Sequence, residues 1–189
     1  MTINAALLIP FLWAVWAIYW FVAARGVKAV VRRESPASRL GHAIPLAISG
    51  ILLWLPHFPG WLGERFVPET VALFLASVGA IVAGLLLCVW ARVVLGGNWS
   101  GTVTLKVEHE IVRVGPYRMI RHPIYTGLLL MFIGTALARG EWRGILAVVI
   151  AFAALWRKLR LEERWLTESF GAAYTEYRAA TWALVPYLI

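Results

Sequence analysis

Two polar clusters interrupt a largely apolar chain, and their charges are complementary. The first is Gly115-Pro116-Tyr117-Arg118-Met119-Ile120-Arg121-His122-Pro123-Ile124-Tyr125-Thr126-Gly127, with three basic side chains inside five residues. The second, about forty residues on, is Glu162-Glu163, preceded by Arg157, Lys158 and Arg160. Arg121 and His122 supply N–H donors for a carboxylate, and Glu162 and Glu163 supply acceptors for an ammonium. Tyr117 and Tyr125 add flat walls for an apolar or aromatic group. Plainer readings stand beside this one. The glutamates can form a solvated helix face, paired as Lys158–Glu162 and Arg160–Glu163. The basic residues can be an anchor at a membrane edge. An anchor needs charge and no particular backbone, whereas Gly115, Pro116, Pro123 and Gly127 fix the backbone here. His122 lies between Arg121 and Pro123, with Arg118 close by. Cationic neighbours disfavour protonation, so a neutral imidazole that binds a ligand, and is not a base, is expected.

The elements that must position these clusters read as membrane helices. Of 189 residues, 61% are hydrophobic and 11 are Trp, and the mean hydropathy is +0.74. That composition belongs to membrane proteins. The formal charge of +8 does not indicate a nucleic-acid partner, because the basic residues flank apolar runs. Cys88 is the only cysteine, so no intrachain disulfide forms. Five apolar runs follow one another at 5–24, 40–57, 70–95, 124–138 and 144–156. The last two are short and read as a tight hairpin around Arg139-Gly140-Glu141-Trp142-Arg143 that just crosses the bilayer. No Lys or Arg precedes Arg25, so the first run is read as a retained helix rather than a signal peptide.

Between the runs the sequence suggests local roles. Trp13, Trp16 and Trp20 recur at helical spacing and read as packing or an interfacial belt. His42 and His57 sit near the ends of the second run and read as interfacial. Residues 25–39 carry Arg25, Lys28, Arg32, Arg33 and Arg39 and read as a cytoplasmic anchor loop. Ala76-x-x-x-Ala80-x-x-x-Gly84 predicts a close-packing helix face. Arg92 closes that run, with its head free to reach the interface. Gly96 to Gly101 is a glycine-rich turn without the Gly-Lys-Ser/Thr ending of a phosphate loop. Thr102 to Val107 alternates like a short strand. Glu108-His109-Glu110 has no second ligand cluster, so no metal is expected. Residues 157–180 continue the last span as a charged helical tail, and 182–189 are expected to fold back on the membrane surface.

Five crossings with the N-terminus outside put 15 of the 18 Lys and Arg inside. The expected architecture is therefore a single all-α membrane domain, residues 1–189. Residues 1–95 form three helices, and 96–189 form a catalytic half whose pocket faces the cytoplasm.

His109-Glu110-Ile111-Val112, Gly115-Pro116-Tyr117 and Arg121-His122-Pro123-Ile124-Tyr125-Thr126-Gly127 resemble the isoprenylcysteine carboxyl methyltransferase family. Glu162-Glu163, Phe170-Gly171, Tyr174, Tyr177 and Pro186 resemble its C-terminal signature. The resemblance covers roughly residues 95–187. Its Arg-His-Pro-x-Tyr-x-Gly part is shared with phospholipid N-methyltransferases and sterol-type reductases. The resemblance implies S-adenosyl-L-methionine as methyl donor, with S-adenosyl-L-homocysteine as product, and a lipidic or prenylated acceptor drawn from the bilayer. The implied cofactor contacts are His109, Glu110, Ile111, Val112, Tyr117, His122, Pro123, Ile124, Tyr125, Glu162 and Glu163. A basic residue one turn before the glutamates would meet the substrate, which makes Arg157 or Lys158 the catalytic candidates together with Arg121. The implied location is the inner membrane of a prokaryote. A phospholipid N-methyltransferase is the alternative, with a sterol-type reductase or a non-enzymatic membrane protein behind it.

Overall fold

The computed structural model describes residues 3–25, 27–106 and 110–188. Five long helices form the body: α1 (Ile3–Ala23), α2 (Pro36–Trp54), α3 (Val71–Leu95), α4 (Pro123–Arg139) and α5 (Trp142–Phe170). A short α6 (Ala172–Ala179) follows α5. The ends are set locally. The Ser35 side chain accepts from the Ser38 N–H at 3.2 Å, with Pro36 in the first turn, and Thr70 caps α3 on the Leu73 N–H at 3.1 Å. Gly140, at φ 63°, ends α4 in the left-handed region and turns the chain directly into α5. Because α5 is unbroken from Trp142 to Phe170, the last apolar run and the charged tail are one rod of 29 residues.

α3 and α4 make the tightest crossing. A Cβ built on Gly84 would strike the Gly127 carbonyl, and one on Gly134 would come within 2.6 Å of the Ser77 carbonyl. The close face of α3 is therefore Ser77, Ile81, Gly84 and Cys88. Of the expected Ala76–Ala80–Gly84 run only Gly84 takes part, and Ala76 is exposed. The adjacent core joins α2, α4 and α5 through Leu52, Leu53, Phe132, Ala147 and Ala151. Trp13 ties α1 to α4 by donating to Thr135 Oγ1 at 2.9 Å.

The outside of the bundle is apolar. Leu7, Phe11, Ile18 and Phe21 on α1, and Val71, Leu75, Leu86 and Val93 on α3, are all more than half exposed. Among the described residues one helical stretch, Val71–Asn98, is long and apolar enough to cross a membrane, and Leu7–Ala23 and Pro123–Arg139 are shorter apolar helices. The fold is mostly helical, with one small sheet.

Three expectations about the connections change. Residues 30–33 are not a free anchor loop. They form β1 (Val30–Arg33), antiparallel to β2 (Thr104–Lys106), with Arg33 opposite Thr104. Glu34 extends this pairing: its N–H donates to the Val103 carbonyl, and its carboxylate accepts from the Val103 N–H, both at 3.0 Å. His42 is not interfacial but buried, 3.5 Å from the Glu34 carboxylate. The C-terminal residues pack in part against the bundle. Ala183 and Leu184 are buried against Leu159, and the segment runs alongside the Arg121–His122 loop.

Candidate active site

The loop is held by the C-terminal segment, and that is why its polar groups have one geometry. Arg121 N–H donates to the Trp182 carbonyl at 2.8 Å, and His122 N–H to that of Ala183 at 3.0 Å. Thr126 Oγ1 donates to the Leu184 carbonyl at 2.7 Å. Tyr177 OH donates to the Tyr117 carbonyl at 2.8 Å. Buried backbone groups need partners, and here the tail supplies them.

α5 then brings both glutamates to the loop. Tyr125 OH donates to Glu162 at 2.6 Å, and His122 Nδ1 lies 3.5 Å from Glu162. Arg121 Nε donates to Glu163 at 2.7 Å, and His122 Nε2 lies 3.3 Å from the same oxygen. The imidazole stacks on Tyr125 with the rings 1° from parallel. The expected Lys158–Glu162 and Arg160–Glu163 pairs are not formed, because both carboxylates turn to the loop instead. His122 is accordingly not surrounded by cations, as its sequence neighbours suggested, but bracketed by two carboxylates. Burial alone would lower its pKa. The hydrogen bonds and charges of Glu162 and Glu163 outweigh burial and raise it, so the imidazolium is favoured. For Glu163, burial pushes the pKa up, but His122 and Arg121 bring it down to about 2. Glu162 is also held below the ordinary carboxylate range: burial opposes this, and His122 and Lys158 override it. Both carboxylates lie beyond the apolar stretch 144–156 of α5.

Beside this cluster is a cavity of about 380 Å³. Its polar end holds Glu162, Arg121, His122 and Lys158, and Tyr117, Tyr125 and Tyr174 wall it. Its apolar end holds Trp16, Trp20, Leu46, Leu128 and Leu155, drawn from α1, α2, α4 and α5. The segment from Asn98 to Leu105, held by β1 and Glu34, forms another wall. The Lys158 ammonium donates to the Gly101 carbonyl at 2.9 Å, which leaves two of its three donors.

Most of the sequence candidates meet here. Glu110, Ile111, Val112, Tyr117, Arg121, His122, Ile124, Tyr125, Lys158 and Glu162 all line the cavity. His109 lies outside the described residues. Pro123 is buried in the first turn of α4 and shapes the loop without lining the cavity. Glu163 also stays out of it, fastening Arg121, His122 and, at 3.4 Å, Arg178. Arg157 points elsewhere: its guanidinium donates to the Ser38 carbonyl and packs on Gly41. One residue, about 100° of helix phase, separates it from neighbouring Lys158, and of the two only Lys158 lines the cavity. Sequence reasoning missed Trp16, Trp20 and Leu46, although the four-residue spacing of the two tryptophans marks one helix face. Arg92 is buried within the protein. It bonds the Ala23 and Gly96 carbonyls and lies over the Trp99 ring that lines the cavity.

The cavity at this end of the bundle is mostly apolar, with a few charged side chains among its lining. The chain belongs to the phospholipid methyltransferase family, whose model matches residues 72–173. It is 34% identical to the protein-S-isoprenylcysteine O-methyltransferase of Saccharomyces cerevisiae over 99 residues, which cover 49% of this chain and 40% of that protein. It is 27% identical to a probable protein-S-isoprenylcysteine O-methyltransferase of Oryza sativa subsp. japonica over 133 residues, 67% of this chain and 65% of the relative. A steroid 5-alpha-reductase of Solanum lycopersicum matches at 26% over 137 residues, 67% of this chain and 47% of the relative. The chain thus spans between 40% and 65% of the length of these curated relatives. They are eukaryotic and lend no support to a prokaryotic inner membrane.

Proposed function

We propose that the chain is an integral-membrane methyltransferase that uses S-adenosyl-L-methionine and methylates a lipophilic carboxylate of the S-prenylcysteine type. In this reading the five long helices cross the bilayer, with the N-terminus outside and the cavity on the cytoplasmic side. The apolar exterior of the bundle and the charge distribution support that placement. The observation that carries the reading is the two-ended cavity. Its polar end offers Glu162 to an ammonium and Arg121 with Lys158 to a carboxylate. Its apolar end offers tryptophan and leucine from α1, α2, α4 and α5. A carboxylate accepts about four hydrogen bonds, so Glu162 keeps capacity beyond Tyr125 and His122.

When bound, the cofactor supplies an electrophilic methyl group on a sulfonium. Glu162 anchors the amino end of the ligand. Arg121, fixed by Glu163 and by the Arg178 and Thr181 carbonyls, is a pre-oriented cation. Lys158 stands 5.2 Å over the Tyr125 ring and can hold an acceptor carboxylate without taking its proton. Such an acceptor is already ionised at pH 7, so no general base is required. Charge is partly neutralised as the new C–O bond forms, and a site that excludes water favours this step. His122 is a positioning residue that holds both glutamates and does not exchange a proton with substrate.

The test is transfer of labelled methyl from S-adenosyl-L-methionine by the reconstituted protein. An N-acylated S-farnesylcysteine is offered in one arm and phosphatidylethanolamine in the other. Label recovered as a base-labile methyl ester supports the proposal. Label on the amine of phosphatidylethanolamine alone would overturn the acceptor class and favour the phospholipid N-methyltransferase.

A further inference from the structure

A second cleft, of about 320 Å³, lies on the other side of α5, lined by Arg160, Glu163, Arg164, Thr167, Glu168 and Arg178. At 100° per residue Arg160, Arg164 and Thr167 fall within about 60° of one another, and roughly opposite Lys158, Glu162 and Trp165. The cleft is therefore separate from the cavity. Its two acids are already matched. Glu168 pairs with Arg32 at 2.8 Å, and Glu163 pairs with Arg121 at 2.7 Å and holds His122. Among the described residues Arg160 and Arg164 have no ion-pair partner, and they sit four residues apart on one helix, where like charges repel. Arg178 of α6 faces them across the cleft, held only by a 3.4 Å contact to Glu163. Three cations against acids already compensated leave a site short of negative charge.

Depth selects what fills it. Measured from Trp142 at the start of α5, Arg160 is about 27 Å and Arg164 about 33 Å along the helix axis. With the start of α5 at the opposite face, a hydrocarbon core about 30 Å thick ends between them. Resting on the membrane reading above, we propose that Arg160, Arg164 and Arg178 bind the phosphate of an anionic phospholipid headgroup. Arginine guanidiniums suit this ligand, since they pair with phosphate oxygens in forked geometry. The same chemistry would accept free phosphate, and depth favours the lipid.

The purified protein in mild detergent is titrated with phosphatidic acid or phosphatidylcholine of matched chains, and bound lipid is counted by native mass spectrometry. Retention of phosphatidic acid over phosphatidylcholine is expected, with R160Q/R164Q weakening it roughly thirtyfold and R160K/R164K, which keeps the charge but not the fork, falling between the two. Calorimetry with S-adenosyl-L-methionine on the same samples reports whether each variant is folded and whether the cavity reading holds independently. Equal retention of the two lipids by the wild type, or unchanged retention in R160Q/R164Q, would overturn the proposal. Displacement of the lipid by millimolar inorganic phosphate would overturn the lipid as the source.

Discussion

Two buried arginine–glutamate networks stand at opposite ends of the bundle, and the one around Glu162 borders the 380 Å³ cavity. At the far end Arg143 is fully buried. Its guanidinium bonds the Glu141 carboxylate and the Leu55 carbonyl and lies over the Phe58 ring. Arg65 caps the Arg139 carbonyl beside it, and Phe66 N–H donates to the Gly140 carbonyl at 2.9 Å. These donors go to carbonyls and one carboxylate that close a helical hairpin. At the near end Arg121, Glu162, Glu163 and His122 make equally short contacts, but Glu162 and Lys158 retain capacity and face empty volume. A buried charge is thus not by itself a site. Unused hydrogen-bonding capacity against a cavity is the distinguishing feature.

Removing one partner from the far network should give the largest loss of stability. Arg143→Met leaves the Leu55 carbonyl without its donor and Glu141 with only the longer 3.8 Å pair to Arg139, and should cost about 3–5 kcal/mol. Thermal unfolding in detergent should show a large drop in Tm, while methyl-donor affinity of the folded fraction stays within about twofold of wild type. A lost cavity affinity at normal Tm would erase the distinction between the two ends.

At the near end the two adjacent glutamates should behave differently. Glu162→Gln removes a charge-assisted contact to ligand, and affinity for S-adenosyl-L-methionine should fall roughly ten- to a hundredfold by calorimetry. Glu163→Gln should mainly lower stability and free Arg121, with a smaller effect on affinity, since it does not line the cavity. Equal effects of the two variants would mean that the pair acts as one unit.

The near network should also be the pH-sensitive one. His122 has a raised pKa in the folded protein, so its stabilisation is complete below the ordinary histidine value and is lost as pH rises through the raised value. Glu163 has its pKa lowered to about 2, so its contribution is complete above the ordinary carboxylate range and is lost as pH falls toward 2. Unfolding followed from pH 5 to 9 should therefore show stability falling on the alkaline side in wild type, with a flatter profile in His122→Asn. An identical alkaline fall in His122→Asn would assign the titration elsewhere.

The smallest effect is expected at Arg157. Arg157→Ala should change stability by about 0.5 kcal/mol or less and leave donor affinity unchanged, because the side chain is on the surface and away from the cavity. A loss of turnover comparable to that of Lys158→Ala would restore Arg157 to the substrate site.

What could be read from the sequence follows the range of the interactions concerned. The five long helices announce themselves as apolar runs, and the Arg-His-Pro-x-Tyr-x-Gly loop by its punctuation. Such signals are local, so they survive without tertiary information. The state of His122 does not, because the charges that decide it come from Glu162 and Glu163, forty residues away in sequence and within 3.5 Å in space. The same holds for Trp16, Trp20 and Glu34, whose roles at the cavity depend on α1 and β1 folding back over the C-terminal half. The choice between Arg157 and Lys158 turned on one residue of helix phase. Residues 182–184 looked like a surface tail because their apolar character gives no hint that the loop needs their carbonyls.

The most direct test of the central claim is a calorimetric titration of the intact, detergent-solubilised protein with S-adenosyl-L-methionine and, separately, with reduced nicotinamide cofactor. One relative is a steroid reductase, so the second ligand is a real competitor for the assignment. The account predicts saturable binding of S-adenosyl-L-methionine at one site per chain, weakened in Glu162→Gln, and no saturable binding of the nicotinamide. Saturable nicotinamide binding without S-adenosyl-L-methionine binding would contradict it.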